Sequence, residues 1–256
     1  MKKYLLFLSL FCLPLIGMAQ TETIDEKSEP AQVKSENSWQ WNLTPNLWLM
    51  GMSGDISIKD RTIPLELSLE DILSNLKMAF MLHAEAKHGK WGIMMDIMSA
   101  KLGSEATREG LINDRTVDVE VKQFIGELGA SYTFIENNGF TMDAIAGGRY
   151  FDLQVEVDGE GIINEANSDF NFFDPFVGVR LANYWNKFGL GGRFDIGGFG
   201  VGSDFSYKYN VFAAYEFSKL FQLELGYQGY KPDYNDDNIG YNVTSAGFII
   251  GGSFRF

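Results

Sequence analysis

The chain has a single cysteine, Cys12, and only two histidines, His83 and His88, among its 256 residues. Cys12 lies in the opening stretch "MKKYLLFLSLFCLPLIGMAQ". This stretch carries two lysines, an apolar run of 13 residues from Tyr4 to Ile16, and small residues at Gly17 and Ala19. These are the parts of a secretory signal peptide spanning 1–19, with cleavage expected between Ala19 and Gln20. The mature chain would then hold no thiol, which excludes disulfides and cysteine chemistry. Phe11 fills the position before Cys12 where a lipoprotein needs a small residue, so no lipid anchor is expected. Long hydrophobic runs are missing too. No later segment reaches the ~18 apolar residues of a membrane helix, and the signal's own run is too short to cross about 30 Å of hydrocarbon. Cations are also scarce, with 21 Lys and Arg against 34 Asp and Glu and a net charge of −13. Without a basic stripe to displace counterions from phosphates, nucleic acid is excluded as a partner.

What is abundant is aromatic residues, at 14%, and glycine, with 28 copies. Residues 20–38 are polar and acidic and read as a flexible leader. From Trp39 onward the dominant period is two. The closing "YNVTSAGFIIGGSFRF" sets Ala246, Phe248, Ile250, Gly252, Phe254 and Phe256 on one side, and Gly247, Ile249, Gly251, Ser253 and Arg255 on the other. Only a β-strand alternates its side chains in this way. Ten such segments begin near Trp39, Leu76, Trp91, Thr116, Phe140, Phe170, Phe188, Phe205, Phe221 and Tyr241.

Short and long connections alternate between these segments. The short ones are "KHGK" (87–90), "IENNGF" (135–140), "NKF" (186–188) and "SK" (218–219), with the Gly, Asn and Ser of tight hairpins. The long ones cover 51–75, 103–115, 158–169, 199–204 and 231–240. Within the first, "GDISIKDRTIPLEL" reads as a protruding hairpin that turns at Lys59–Arg61. "SLEDILSNL" places Ser68 three residues before Asp71, with Leu69, Ile72, Leu73 and Leu76 at helical spacing. This is a capping-box signal for a short helix that lies on the membrane, plugs the barrel mouth or covers the loop's own core; the last is the simplest expectation.

Sorted by face, the segments separate charge from grease. Faces such as Leu76, Met78, Phe80, Leu82; Trp91, Ile93, Met95, Ile97; and Phe221, Leu223, Leu225, Tyr227 carry no Asp, Glu, Lys or Arg. The opposite faces hold Glu85, Asp96, Glu127, Asp143, Arg149, Asp174, Arg180, Arg193, Asp195, Glu216, Glu224 and Arg255. A soluble sandwich also alternates. Here, however, aromatics gather at strand ends and the segments exceed the usual 5–6 residues. Glycines such as Gly147 and Gly251 also recur on the charged face, as a narrow lumen requires. A lysine or arginine facing lipid at the midplane would cost roughly 2–4 kcal/mol, which accounts for the clean face. In hydrocarbon a sheet cannot keep an open edge, so the first strand must pair with the last. The apolar parity shifts near Val121–Phe124 and Tyr150–Phe151, which reads as β-bulges or as the points where the sheet leaves the membrane.

Together with the terminal "GFIIGGSFRF", these features resemble a bacterial outer-membrane β-barrel. "WNLTPNLWL" (Trp41–Leu49) resembles the first strand of many poorly characterised members. The resemblance implies outer-membrane lipid as the surrounding partner. It also implies an assembly signal at Phe248, Ile250, Phe254 and Phe256, read by the barrel assembly machinery. The expected fold is therefore all-β: a closed antiparallel up-and-down transmembrane barrel over 39–256. About ten strands are expected, eight or twelve being the alternatives, with a short helix in the first long loop.

Chemistry is sparse. His83 faces inward beside Glu85 and could orient a nucleophile, but no serine is fixed near it, and a lumen histidine bonded to carboxylates is the simpler reading. "GGFGVG" (197–202) lacks the Lys-Ser/Thr of a phosphate loop and reads as a flexible connection. "DYNDDN" (233–238) lacks the spaced glutamate of a calcium loop and reads as a solvated acidic loop, so neither cofactor nor metal is expected. Buried charges must pair, so Arg149, Arg180, Arg193 and Arg255 are expected to bridge Asp143, Asp174, Asp195, Glu216 and Glu224. Mixed signs argue against an ion-selective pore. The sequence thus points to a non-enzymatic barrel for surface interaction or limited solute passage. A lipid- or peptide-hydrolysing enzyme and an open diffusion channel are the alternatives.

Overall fold

The computed structural model describes residues 38–58, 61–108, 115–159 and 166–256. The expected signal peptide, and the leader up to its last residue, lie outside the described residues. The remainder is one continuous antiparallel sheet. Its strands are β1 (Trp39–Ile58), β2 (Arg61–Leu67), β3 (Leu76–His88), β4 (Trp91–Arg108), β5 (Arg115–Asn137) and β6 (Phe140–Gly159). They continue with β7 (Ala166–Trp185), β8 (Phe188–Gly197), β9 (Phe205–Ser218), β10 (Phe221–Asn235) and β11 (Ile239–Arg255), and one helix, α1 (Leu69–Asn75), precedes β3. From β3 to β11 each strand pairs with its neighbour in sequence, and β1 pairs with both β3 and β11, so the sheet closes. Ten strands form the barrel, and β2 is an eleventh, folded back on the outer half of β1. At the short-turn end, Trp41 and Phe256 exchange both backbone hydrogen bonds, at 3.1 and 2.9 Å.

The short connections tighten to two-residue turns. Asn138 and Gly139 both adopt positive φ, 46° and 86°, which matches the right-handed strand twist of a primed hairpin. Long outer loops and short periplasmic turns orient such barrels, so this end is periplasmic. Strand pairing runs well into two of the expected long connections. β4 and β5 remain paired out to Arg108 and Arg115, and β6 and β7 out to Val157 and Ala166. The period there is kept beyond the membrane, where the outward face turns ionic: Lys101 binds Glu120 at 2.7 Å, and Lys122 binds Glu156 at 2.8 Å.

The parity shifts near Val121–Phe124 and Tyr150–Phe151 are not bulges. The β5–β6 register runs unbroken from Val117 to Thr133, and its single shift falls between Thr133 and Ile135. At this level both faces are apolar. Phe124 and Tyr150 point outward, while Ile125 and the fully buried Phe151 point in, before Lys122 and Asp152 mark the exit from the membrane.

The barrel's outer half has its own hydrophobic core, built from Trp48, Met50, Met52, Met98, Phe151, Phe172, Tyr230 and Tyr241. Helix α1 contributes Ile72 to it, so the helix lies against the lumen contents and not merely over its own loop. Ser68 caps α1: its hydroxyl oxygen accepts from Asp71 N at 3.2 Å, and Asp71 Oδ2 accepts from Ser68 N at 2.8 Å. That reciprocal box stabilises a helix otherwise too short to persist in water.

Candidate functional site

Strand alternation sends every second residue of β3 to β9 into the lumen, and three rows of charge meet there. In register across β4, β5 and β6 stand Asp96, Glu127 and Arg149. Arg149 is fully buried. Its Nε donates to Glu127 Oε1 at 2.8 Å and its Nη2 to Asp195 Oδ1 at 2.6 Å. Arg193 donates to Asp195 at 2.7 Å, Glu127 at 2.9 Å and Asp96 at 3.2 Å. Lys208 Nζ adds a bond to Glu127 at 2.9 Å. Three cations therefore face three carboxylates, and the layer is close to neutral without counterions from water. His83 Nδ1 approaches Asp96 Oδ1 at 2.9 Å from the layer's edge.

One step toward the periplasm, Arg180 forms a fork with Glu85, at 2.6 and 3.0 Å, and also donates to Asp143 at 2.7 Å. Thr133 donates to Asp143 at 2.6 Å, and Lys87 completes the group through Thr133 at 3.0 Å. A third, looser row sits near the mouth, where Arg255 reaches Glu216 at 3.3 Å and also bonds Gln222.

Two carboxylates do not meet an arginine as expected. Asp174 lies opposite Arg149 on the neighbouring strand, yet its carboxylate accepts from Ser203 N and Ser203 Oγ, both at 2.7 Å. Those bonds hold the β8–β9 connection inward, so "GGFGVG" is a pinned turn and not a flexible one. Gly198, Phe199 and Gly200 take positive φ there, and Gly200 N and Val201 N donate within the loop. Glu224 accepts from Gln222 at 2.6 Å. Within "DYNDDN", Asp236 accepts from Asn238 N and Ile239 N, each at 2.7 Å. These donors, Asn238 first, hold its carboxyl below the usual range, so this carboxylate is committed to shaping its own turn.

Sequence reasoning missed the aromatic frame of the layer. Phe176, buried, lies under both Arg149 and Arg193, with the guanidinium carbons 5.2 and 5.1 Å from its ring centre. Gly129 and Gly147 face that ring, and a Cβ on either would press against it. Tyr230 covers Arg149 from the outer side at 4.7 Å. The inward glycines were the available signal, because they imply a large lumen side chain opposite.

Phe248, Ile250 and Phe254, expected as an assembly signal, all point outward on β11 and are exposed, as is Phe256. With them, Leu128, Leu190, Phe194 and Val211 make up the apolar outer belt. Among the described residues, no helix is long and apolar enough to cross a membrane.

No protein-family model matches the chain, and no curated protein does. Solved structures do. The outer-membrane protease OmpT of Escherichia coli matches with a TM-score of 0.53 at 10% identity, over 85% of this chain and 96% of that one. The autotransporter NalP translocator domain of Neisseria meningitidis matches at TM-score 0.43 and 10% identity, covering 88% and 91%. The attachment invasion locus protein Ail of Yersinia pestis matches at 0.38 and 10% identity, covering 86% and 99%. The likeness places this chain among bacterial outer-membrane β-barrels by fold.

Proposed function

We propose that the chain is a non-enzymatic outer-membrane barrel whose lumen is closed to free diffusion and whose outer strands form an interaction surface. The supporting observation is the Arg149–Arg193 layer. Its charges bind one another and not passing ions, and an apolar core lies directly above it. A selective pore needs sites that bind an ion and then release it. Charges that neutralise one another between aromatic rings offer neither, so passage is limited to water and the smallest solutes. Outside the membrane, β4 to β6 carry the ionic ladder of Lys101, Glu120, Lys122 and Glu156 on a paired sheet, a rigid platform suited to a partner. Hydrolysis through His83 is disfavoured because the His83–Asp96 pair lies in the lumen, away from the rim where a lipid or peptide would arrive.

Planar-bilayer recording of the purified protein is the test. The reading expects brief, small events at most, and steady open conductance contradicts it. His83→Ala should leave the membrane's lipid profile unchanged. An altered profile would favour the enzyme.

A further inference from the structure

The barrel wall has one irregular seam. On one side, β1 pairs with β11 out to Ile58, skipping only Thr44 and Pro45. On the other, its ladder with β3 covers Trp39–Pro45 against Leu82–His88 and stops there. β1 next acquires a partner on this side at Met52, from β2. Between the two ladders, 46–50 of β1 has no register partner on this side, a window about 17 Å tall at strand rise, before Gly51 meets the backbone of Leu67–Leu69. Pro45, which has no N–H to donate, is the last paired residue. Inside the window, Trp48 N donates to Met81 Sδ at 3.1 Å, and a thioether is a weak acceptor where a carbonyl would normally stand.

The window lies in the outer-leaflet half. Its lower edge is the Pro45–Leu82 pair, and its upper edge reaches Met78, which is paired with Lys101 of the external ionic ladder. Its outward rim is apolar, with Leu47, Met78 and Phe80 all exposed. Behind it sits a cavity of about 50 Å³. The lining combines the lumen residues Trp48, Met81, Lys208 and Tyr230 with Leu82 and Ile97, which belong to the lipid-facing alternation. The two faces of the wall meet at this break.

Two buried groups on this cavity lack a hydrogen-bond partner among the described residues: Trp48 Nε1 and Tyr230 Oη. The residues are only 5% and 2% exposed, and such orphans are costly unless something satisfies them. Both can donate, and the indole can only donate, so the missing group is an acceptor. Asp96, Glu127 and Lys208 also line the cavity, and Lys208 is already bonded to Glu127 within the neutral layer, which leaves no spare cation on this lining for a carboxylate head. The volume suits a head of a few atoms and not a whole lipid. The adjoining side chains include Met50, Met52, Met81 and Met98, unbranched groups that repack around variable apolar shapes.

We infer that this seam is a lateral binding site for an uncharged single-chain amphiphile. The apolar chain enters from the outer leaflet between β1 and β3, displacing the Met81 side chain. The carbonyl or hydroxyl head accepts from Trp48 Nε1 and Tyr230 Oη beside the charged layer. This is independent of through-flow, because ligand enters and leaves by the wall.

The probe is a monoacylglycerol with a photoreactive diazirine in its chain, added to purified full-length protein in lipid nanodiscs. Saturable labelling is expected on peptides containing Trp48, Met81 and Tyr230, competed by unlabelled monoacylglycerol. The Trp48→Phe and Tyr230→Phe variants keep their rings in place, and each should weaken half-saturation roughly fivefold to tenfold. Thermal unfolding identical to the parent certifies that the fold is retained. Labelling that does not saturate and spreads over the outward belt overturns the site, as does unchanged affinity in both variants. Tighter competition by the free fatty acid overturns the uncharged-head assignment.

Discussion

The two halves of the lumen are equally buried and filled with opposite chemistry. The periplasmic half holds Arg149, Arg193 and Arg180 in mutual pairs with Glu127, Asp195, Asp143 and Glu85. The outer half holds Phe151, Phe172, Tyr234 and Tyr241, with Phe151 stacked on Phe172 at 4.8 Å and Phe172 on Tyr234 at 4.9 Å. The aromatic half also ties β7 to β10 above the short β8–β9 hairpin, where the wall is low. The difference shows that filling a barrel demands only mutual satisfaction. Charges achieve it through partners on several strands, whereas aromatics achieve it through shape. The charged half should therefore fail when one member is removed, and the aromatic half should fail in proportion to lost volume.

Arg149→Leu is expected to have the largest effect. It strands Glu127 and Asp195 with fewer donors in a dry layer, and removing one partner of a buried pair costs about 3–5 kcal/mol. Denaturant unfolding in lipid vesicles measures this, and the same variant should raise bilayer conductance. Phe151→Ala comes next, at about 3–4 kcal/mol for a cavity at a fully buried ring, with conductance kept low by the intact charged layer. Equal conductance in both variants would erase the distinction between the halves.

On the outside, Leu128→Lys puts a charge into the belt at a residue that is 63% exposed, and is expected to cost about 2–4 kcal/mol in bilayers. A smaller effect should follow Ser68→Ala, which loses about 1 kcal/mol of cap on α1. Hydrogen exchange at the α1 amides reads it. The same amides should respond to acid. The Ser68 hydroxyl and then its N–H hold the Asp71 carboxyl below the usual aspartate range. A lowered folded value means that the cap is complete above the unfolded pKa, near 4, and is lost as pH falls below it. Loosening on alkalinisation instead would contradict the assignment.

Much of the outer architecture was legible in sequence. Nine of ten strand starts fall within about three residues of their expected places, because turn chemistry such as "NNG" and "KHG" punctuates the chain locally. The charged lumen was legible too, since alternation alone places Asp143, Arg149, Arg180 and Arg193 on one face. Three things were not. Apolar residues on both faces at Phe151 and Phe172 carry no parity signal, so an internal core looks like a bulge. The choice of Ser203 by Asp174 is made across 29 residues by a folded loop. The ladder break beside β3 depends on where β2 docks, and Pro45 was its one local sign. The seventh strand illustrates the remaining gap, since its pairing continues out to Ala166 beyond the start near Phe170.

The account stands on lipid covering the outward belt of a cylinder that keeps its own core inside. A nitroxide at Leu128→Cys, with Cys12, the one native cysteine of the sequence, replaced by serine, tests this by accessibility to apolar oxygen and to a water-soluble nickel chelate. High oxygen with low nickel exposure is the result expected in bilayers. The reverse would mean that water, not hydrocarbon, bathes that face.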